Sequence, residues 1–278
     1  MAGEAILKRH YHFGWRAAAL ALMLLAGPGL AVAAPRVVSL DQCADQYVMA
    51  LSPRTAIAGV SMRSGDPDAY LHVQARGLPK RRASAESVLA AQPNVVVRYW
   101  GGDALLSRTL ARRGVTVVDL TDQSGFDGVR RNIRAVAAAL HETPRGEQLI
   151  ADMNAKLAAS SGAWRNRPAI YLTPAGFSTG PGTLIDAMLR GAGLDNRTTS
   201  PGYVSVPMER LVIDPPIALV LGFFDSYGLS GQLWAPGRRS LVRRMVDERA
   251  IANLPGSVLD CPAWFAADGV RAISQARQ

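Results

Sequence analysis

The chain is poor in the residues that bind free metal ions. It has four histidines and two cysteines among 278 residues. Only His72 and His141 lie outside the N-terminal segment, and a site for free zinc or manganese needs several such ligands at close spacing. The metalloprotease pattern His-Glu-x-x-His is also absent. A protein that binds a naked transition metal is therefore disfavoured, whereas a preassembled metal chelate brings its own ligands.

The sequence also lacks an apolar run long enough to span a bilayer. Its longest candidate covers residues 17–30 and is interrupted by Gly27 and Pro28. Basic residues precede it, and Ala31 and Ala33 follow with the spacing of a signal-peptidase site. No cysteine stands at that point to accept a lipid. We predict a cleaved signal peptide over residues 1–33 and a periplasmic location for the remainder.

The chain carries a positive net charge that is spread along the sequence and not concentrated in one segment. The formal net charge is +9, and the excess arginines are scattered in pairs near predicted helix ends. No nucleic-acid-binding motif accompanies them. We therefore expect no nucleic acid among the partners. A few arginines in a cleft would instead suit an anionic small molecule.

One pattern occurs twice. Glu86 and Glu209 each open a short amphipathic segment that a proline ends seven residues later, at Pro93 and Pro216, and an apolar run follows at once. Around these segments strands and helices alternate, which predicts mainly parallel sheets. The fold class is therefore α/β, with two lobes, each a mainly parallel sheet flanked by helices. The rhythm breaks at 126–166, where helical spacing and Pro144 predict linking helices, one of them long enough to join the lobes. The expected domains are 34–125, the linking helices 126–166, and 167–278.

A glycine-rich segment at 176–183 precedes the predicted helix of the second lobe. It has no lysine of a phosphate-binding loop and lacks the dinucleotide-binding spacing. Thr183 and Asp186 form a capping box for that helix. The segment is interpreted as a tight turn that feeds a helix, with its backbone amides as a second candidate contact for an anion.

In their order and spacing these segments resemble the periplasmic binding proteins of metal-chelate ABC importers, the class with a single helix as hinge that delivers ferric siderophores, haem or cobalamin. The resemblance runs from about Pro35 to Ala272. The matching segments are the opening run at 35–40, the strand and turn at 58–61, the Glu86 helix before 93–97, Gly182 with Thr183, and the Glu209 helix. It implies capture of a chelate between the lobes and delivery to a dimeric inner-membrane permease, with the binding protein as a monomer and no cofactor.

Within that class the chain is similar to the cobalamin-binding member at the aromatic turn 98–103, at Phe177 and at Trp264. It departs from it at 41–45 and at Arg63, where an aromatic residue is usual. Strand ends, aromatic faces and guanidinium groups predict the ligand-binding residues. They are Arg63, Arg98, Tyr99, Trp100, Phe177, Phe224 and Trp264. By the same resemblance, Glu86 and Glu209 dock onto arginines of the permease.

The two cysteines leave three interpretations open. In an oxidising compartment Cys43 and Cys261 form a disulfide or stay as separate thiols. The third interpretation is an exported hydrolase whose nucleophile is Cys43, at the start of a predicted helix, although no histidine partner stands at a recognisable spacing. A binding protein without enzymatic activity is the main hypothesis, and the hydrolase is its alternative.

Overall fold

The first lobe of the computed structural model is built on a five-stranded sheet. The structure describes residues 35–99, 101–122, 125–225 and 240–276. The strands β1 (Val37–Ser39), β2 (Ile57–Ser61), β3 (Lys80–Arg81), β4 (Val95–Tyr99) and β5 (Thr116–Leu120) are all parallel, in the order β3-β2-β1-β4-β5. The helices α1 (Gln42–Leu51), α2 (Ala85–Leu89) and α3 (Ala104–Arg112) connect them. The central strands are apolar and buried on both faces, as a parallel sheet covered by helices requires.

Two helices link the lobes. They are α4 (Gly125–Ala139) and α5 (Thr143–Ser160), and Pro144 occupies the first turn of α5 as predicted. The 18 residues of α5 correspond to a length of about 27 Å. Ile150 and Met153 of α5 are buried in the first-lobe core, and Leu157, one turn later, packs against the cores of both lobes. The long interdomain helix is thus present.

The second lobe repeats the architecture with fewer strands. Its elements are β6 (Arg167–Leu172), β7 (Phe177–Thr179), α6 (Leu184–Gly191), β8 (Leu194–Asn196), β9 (Tyr203–Ser205), α7 (Met208–Ile213), β10 (Ala218–Gly222), α8 (Ser240–Arg249), β11 (Ala250–Leu254), α9 (Gly256–Leu259) and α10 (Ala266–Gln275). Four of these strands form a parallel sheet in the order β11-β10-β6-β8. The predicted α/β fold with two sheet-based lobes is confirmed.

The glycine-rich segment of the second lobe contains more structure than the predicted turn. Strands β7 and β9 pair as an antiparallel ribbon, with Phe177 opposite Ser205 and Thr179 opposite Tyr203. Gly180 allows the ribbon to close, because a Cβ atom there would overlap the carbonyl oxygen of Ser200. Beyond it, the Thr183 hydroxyl accepts a hydrogen bond from the Asp186 backbone N–H and caps α6, as expected.

The chain returns to the first lobe before its last helix. Cys261, Trp264 and Phe265 are buried in the core cluster formed by the first-lobe strands, α1, α4 and α5. A disulfide joins Cys261 to Cys43 at the start of α1, across 218 residues. Helix α10 then packs against α5 and α6. The first-lobe core therefore includes residues from the predicted domain 167–278.

A buried carboxyl group holds the ends of β1 and β2 together. Asp45 of α1 is fully buried and accepts hydrogen bonds from the hydroxyls of Ser39 and Ser61 and, at 2.8 Å, from the Ser61 backbone N–H. Burial raises the pKa of Asp45 to about 6, and these hydrogen bonds only partly oppose it. The polar anchor of the first-lobe strand ends is therefore sensitive to pH.

Removing the disulfide should destabilise the protein. In the double variant Cys43→Ser with Cys261→Ser, we expect the free energy of unfolding to fall by about 3 to 5 kcal/mol, because a long loop in the unfolded chain is no longer closed. Urea denaturation of the oxidised wild type, the reduced wild type and the variant measures this loss. Equal midpoints for all three would contradict it.

Asp45→Asn should change how stability depends on pH. The pKa of Asp45 is raised on folding, so the folded state holds the proton more tightly than the unfolded state does. The stability of the wild type therefore falls as pH rises from about 4 to about 6. The asparagine of the variant cannot ionise at this position. Its unfolding free energy relative to wild type should therefore rise by about 1 to 3 kcal/mol between pH 4 and pH 7. Denaturant titrations at both pH values measure the difference, with Asp195→Asn on the exposed face of β8 as the matched control; a constant difference would refute this role.

Candidate functional site

The carboxyl ends of the first-lobe strands open into a cavity of about 780 Å³. Asp41 follows β1, Met62 follows β2 and Tyr99 ends β4, while Asp260 and Cys261 line the cavity from the segment after α9. Open parallel sheets bind ligands at this edge, and the volume lies within the usual range for small-molecule sites. The topology therefore produces a cavity of ligand size in the expected place.

A second cavity of about 220 Å³ lies on the side of the second lobe. Its lining includes the capped start of α6, Tyr203 of the ribbon and Leu259 at the end of α9. Tyr99 and Asp260 line both cavities. We call the larger and the smaller cavity together the cleft, since residues of both lobes form its walls.

Asp41 fixes the position of Tyr99 in the cleft. One carboxylate oxygen of Asp41 accepts from the Ala44 backbone N–H at 2.9 Å and thereby caps α1. The other oxygen accepts from the Tyr99 backbone N–H at 2.7 Å. The helix cap and the end of β4 are therefore joined through one side chain. Asp41 thus has a structural role in the segment 41–45.

Three arginines line the larger cavity. Arg63 donates from Nε to Asp66 at 3.0 Å and from Nη2 to Asp68 at 3.1 Å, and the Asp66 carboxylate raises the pKa of its guanidinium. Arg81 and Arg82 reach the cavity from the end of β3 and the residue after it. The stem of Arg81 crosses Gly59, where a Cβ atom would overlap it. The Nε atom of Arg81 is buried without a hydrogen-bond acceptor among the described residues.

Two carboxyl groups line the same cavity. They belong to Asp68, from the segment after β2, and to Asp260, which follows α9. Burial raises the pKa of Asp260 to about 7, and the carboxyl group of Asp68 adds to the effect. The cavity therefore contains both cationic groups and, in Asp260, a carboxyl group that protonates near neutrality.

Among the predicted ligand-binding residues, the structure places Arg63 and Tyr99 in the cleft. Tyr99 is half-buried where the two cavities share their lining. Trp100 lies outside the described residues. These two residues lie at the ends of different first-lobe strands, Arg63 after β2 and Tyr99 at the end of β4.

Arg98 does not line either cavity, in contrast to its predicted role. Its side chain is 9% exposed and forms an ion pair with Asp119 at 3.0 Å. It also donates to the carbonyl oxygens of Tyr99 and Asp103 and to the Ser107 hydroxyl. Because neighbouring residues on a strand point to opposite faces, Arg98 lies away from the face that carries Tyr99. Its guanidinium stabilises the turn after β4.

Three other aromatic residues predicted to contact the ligand also lie outside the two cavities. Trp264 is buried and packs edge-on against Tyr47, with ring centroids 5.5 Å apart. Phe224 is 1% exposed in the core between the second-lobe sheet and α8. Phe177 is 47% exposed on β7 and lines neither cavity. These side chains contribute to lobe packing or to the ribbon surface.

Sequence reasoning missed several residues that line the cleft. They are Asp68, Arg81, Arg82, Tyr203 and Asp260. The two-residue strand β3 is too short to be recognised from alternation, so Arg81 was not placed at a strand end. A signal did exist for Asp260, since it directly precedes Cys261.

The repeated glutamates occupy corresponding places on the two lobes. Glu86 is exposed in the first turn of α2, which Ser84 caps, and Glu209 is exposed in the first turn of α7. A carboxylate in this position is favoured by the helix dipole. Each lobe therefore presents one of the two glutamates at its surface.

Two features bear on the enzymatic alternative. Cys43 is bonded to Cys261, so it has no thiolate to act as a nucleophile. Residues 176–180 match the letters Gly-x-Ser-x-Gly of a nucleophile elbow. However, Ser178 lies within the antiparallel ribbon, is fully buried and shares a hydrogen bond with the Thr198 hydroxyl, whereas an elbow requires an exposed serine between a strand and a helix. Neither feature supplies the nucleophile of a hydrolase.

Within the described ranges, no group of three or more histidine, cysteine, aspartate or glutamate side chains is placed to hold a metal ion. None of the helices described combines the length and the apolar character needed to cross a lipid bilayer.

Two α/β lobes, a linking helix and a cleft of ligand size define the class of two-lobed solute-binding proteins. The comparison with protein families is in accord, because the periplasmic binding protein family matches residues 37–223. The chain belongs to this family. A comparison with curated protein sequences finds no match.

Solved structures share the fold over nearly the whole described chain. The periplasmic haem-binding protein RhuT from Roseiflexus sp. RS-1 is 23% identical, with a TM-score of 0.65, and the alignment covers 88% of this chain and 100% of that one. A periplasmic haem-binding protein from Pseudomonas aeruginosa is 24% identical, with a TM-score of 0.63 and coverage of 87% and 92%. A structure from Saccharomonospora viridis, described as an ABC-type Fe³⁺-hydroxamate transport system, is 18% identical, with a TM-score of 0.62 and coverage of 87% and 93%.

Proposed function

We propose that this protein captures a metal chelate between its lobes and delivers it to an inner-membrane ABC importer. The observation that carries the proposal is the cavity of about 780 Å³ at the carboxyl ends of the first-lobe strands, lined by arginines, carboxyl groups and Tyr99. Haem-binding and Fe³⁺-hydroxamate proteins with the same fold support the chelate class. In this proposal residues 1–33 are the cleaved signal peptide and the mature chain acts in the periplasm as a monomer, without enzymatic activity.

The charges in the larger cavity favour a chelate with acidic groups over an uncharged one. Arg63, Arg81 and Arg82 offer guanidinium groups, which match the geometry of carboxylates and of catecholate oxygens. Tyr99 offers an aromatic face where the two cavities share their lining. We therefore rank an anionic ferric siderophore or haem above a corrinoid as the ligand.

The lobes are expected to close only modestly on the ligand. The long helix α5 and the disulfide between Cys43 and Cys261 both connect the lobes. A large separation of the lobes would therefore distort the helix and the disulfide. A ligand shifts such an equilibrium by the difference between its contacts in the open and closed states. Tyr99 from one lobe and Tyr203 from the other are placed to contribute that difference.

Tyr99→Ala should weaken binding of the chelate. We expect tryptophan fluorescence of the mature protein to be quenched saturably by an iron-loaded siderophore or haemin but not by the iron-free siderophore. The variant should bind about three- to tenfold more weakly, since an aromatic contact contributes about 0.5 to 1.5 kcal/mol. The same titration includes cyanocobalamin.

The matched control is Phe177→Ala, which removes an exposed aromatic side chain outside both cavities. Its affinity should stay within about twofold of wild type, a change of under half a kcal/mol. Equal losses in the two variants would contradict the assigned cleft, and no saturable response to any chelate would contradict the proposed function.

Reversing the charge of both surface glutamates should stop transport without preventing capture. In Glu86→Lys with Glu209→Lys, docking onto basic residues of the permease would become repulsive. Ligand affinity should remain within a few-fold, because both side chains are exposed in helices outside the cavities. Uptake into cells that carry the cognate importer, measured beside affinity of the purified protein, separates the two effects. The control is Asp195→Lys with Glu248→Lys, which changes the net charge equally at other exposed positions.

A further inference from the structure

Three residues that line the larger cavity bury polar side-chain atoms without a hydrogen-bond partner among the described residues. Gln42 does so with both its amide nitrogen and its amide oxygen, Asp68 with Oδ1 and Arg81 with Nε. Buried polar atoms in folded proteins are nearly always paired, and an unpaired one is destabilising. Their concentration around one cavity of ligand size indicates a polar surface that a ligand pairs.

The backbone of Gln42 is held in place on both sides. Asp41 before it accepts two backbone hydrogen bonds through its carboxylate, and Cys43 after it forms the disulfide. The Gln42 carbonyl oxygen accepts from the side-chain amide of Gln46 at 3.0 Å. Gln42 is only 6% exposed, yet its own side-chain amide has no partner in the described ranges. A polar group fixed in this way loses little conformational freedom when a ligand binds.

Arg81 brings a positive charge to the same cavity. Its stem passes over Gly59 of β2, which leaves room for it because a Cβ atom there would overlap the Arg81 Cγ. The Nε of Arg81 is buried and donates to no acceptor of the described residues. By contrast, Arg63 already donates from Nε to Asp66 and from Nη2 to Asp68. Of these two guanidinium groups, that of Arg81 retains the buried donor for an acidic group of a ligand.

The unpaired atoms include both donors and acceptors. The amide nitrogen of Gln42 and the Nε of Arg81 donate, whereas the amide oxygen of Gln42 and the Oδ1 of Asp68 accept. A ligand that pairs all of them carries oxygen acceptors together with N–H or O–H groups. The ionised propionates of haem only accept hydrogen bonds, so haem would leave the two acceptors unpaired.

We propose that Gln42, Asp68 and Arg81 form a polar subsite for a ferric siderophore that carries both carboxylates and N–H or O–H groups. This inference rests on the proposed function and narrows its ligand class. Arg81 donates to a ligand carboxylate, and Asp68 accepts from a ligand N–H or O–H group. The amide of Gln42 does both, so it determines specificity for a ligand with mixed polar groups.

The ligand class is tested by calorimetric titration of the mature protein with three chelates. Ferric aerobactin offers carboxylates and amide N–H groups, ferrichrome offers amide N–H groups without a carboxylate, and haemin offers carboxylates without an N–H or O–H donor. The wild type should bind ferric aerobactin about tenfold or more tightly than either of the others, since each of these leaves part of the subsite unpaired.

Two variants test the residues. Gln42→Met keeps the length of the side chain and removes its amide, and it should weaken ferric aerobactin about tenfold, because a buried hydrogen bond to a charged group is lost. Arg81→Met removes the guanidinium, and it should weaken ferric aerobactin more than ferrichrome, which has no carboxylate for Arg81 to bind.

The matched control is Ser52→Ala, at the other end of α1. Ser52 also buries a side-chain oxygen without a partner among the described residues, but it lines neither cavity of the cleft. In the ligand-free protein neither Gln42→Met nor Ser52→Ala should lower the midpoint of urea unfolding, since each removes an unpaired buried group. The affinity of Ser52→Ala for ferric aerobactin should stay within about twofold of wild type.

The outcomes separate this inference from the proposed function. Equal affinities in Gln42→Met and Ser52→Ala would show that solvent satisfies the amide, and would overturn the subsite while the binding function stands. Tighter binding of haemin or ferrichrome than of ferric aerobactin would overturn the ligand class in the same way. A clear loss of stability in ligand-free Gln42→Met would show that the amide is already paired, and would also overturn the subsite. No saturable binding of any of the three chelates would overturn the proposed function, and the subsite with it.

Discussion

The covalent bond between Cys43 and Cys261 determines where the two lobes meet. It attaches the chain that leaves the second lobe to the first turn of α1, whose cap, Asp41, also holds the end of β4. Asp260, the residue before Cys261, is thereby brought to the first-lobe segment that carries Asp68. The larger cavity depends on this return of the chain, because Asp260 and Cys261 form part of its lining. A linking helix alone would leave this wall of the cleft unfixed.

Other contacts support the return. Tyr70 of the first lobe stacks on Phe265 with centroids 4.2 Å apart, and its hydroxyl donates to Asp268 of α10 at 2.7 Å. Lys156 of α5 binds the other oxygen of the same carboxylate. The linking helix, the first lobe and the last helix are thus connected at one acidic side chain. This arrangement agrees with a protein that closes over a small range, since stiff interlobe connections leave the ligand contacts to decide the equilibrium.

The fold was largely predictable because it depends on patterns within short segments. Apolar runs such as 95–97, the proline that begins α5 and the capping residue Thr183 each act locally, and each is found as predicted. The site was less predictable because position at a strand end does not specify which face a side chain takes. Arg98 and Tyr99 are adjacent, yet only Tyr99 lines the cleft. A residue that reaches the cleft only through long-range contacts, such as Asp68, has no local signature.

The central claim is that a metal chelate occupies the cleft between the lobes. It is tested most directly by anomalous scattering at the absorption edge of the metal, from crystals of the mature protein grown with haemin or a ferric siderophore. We predict a single strong peak in the larger cavity, between Tyr99 and the arginines that line it. A peak confined to the protein surface, or a chelate bound on the outer face of either lobe with the cleft empty, would contradict it.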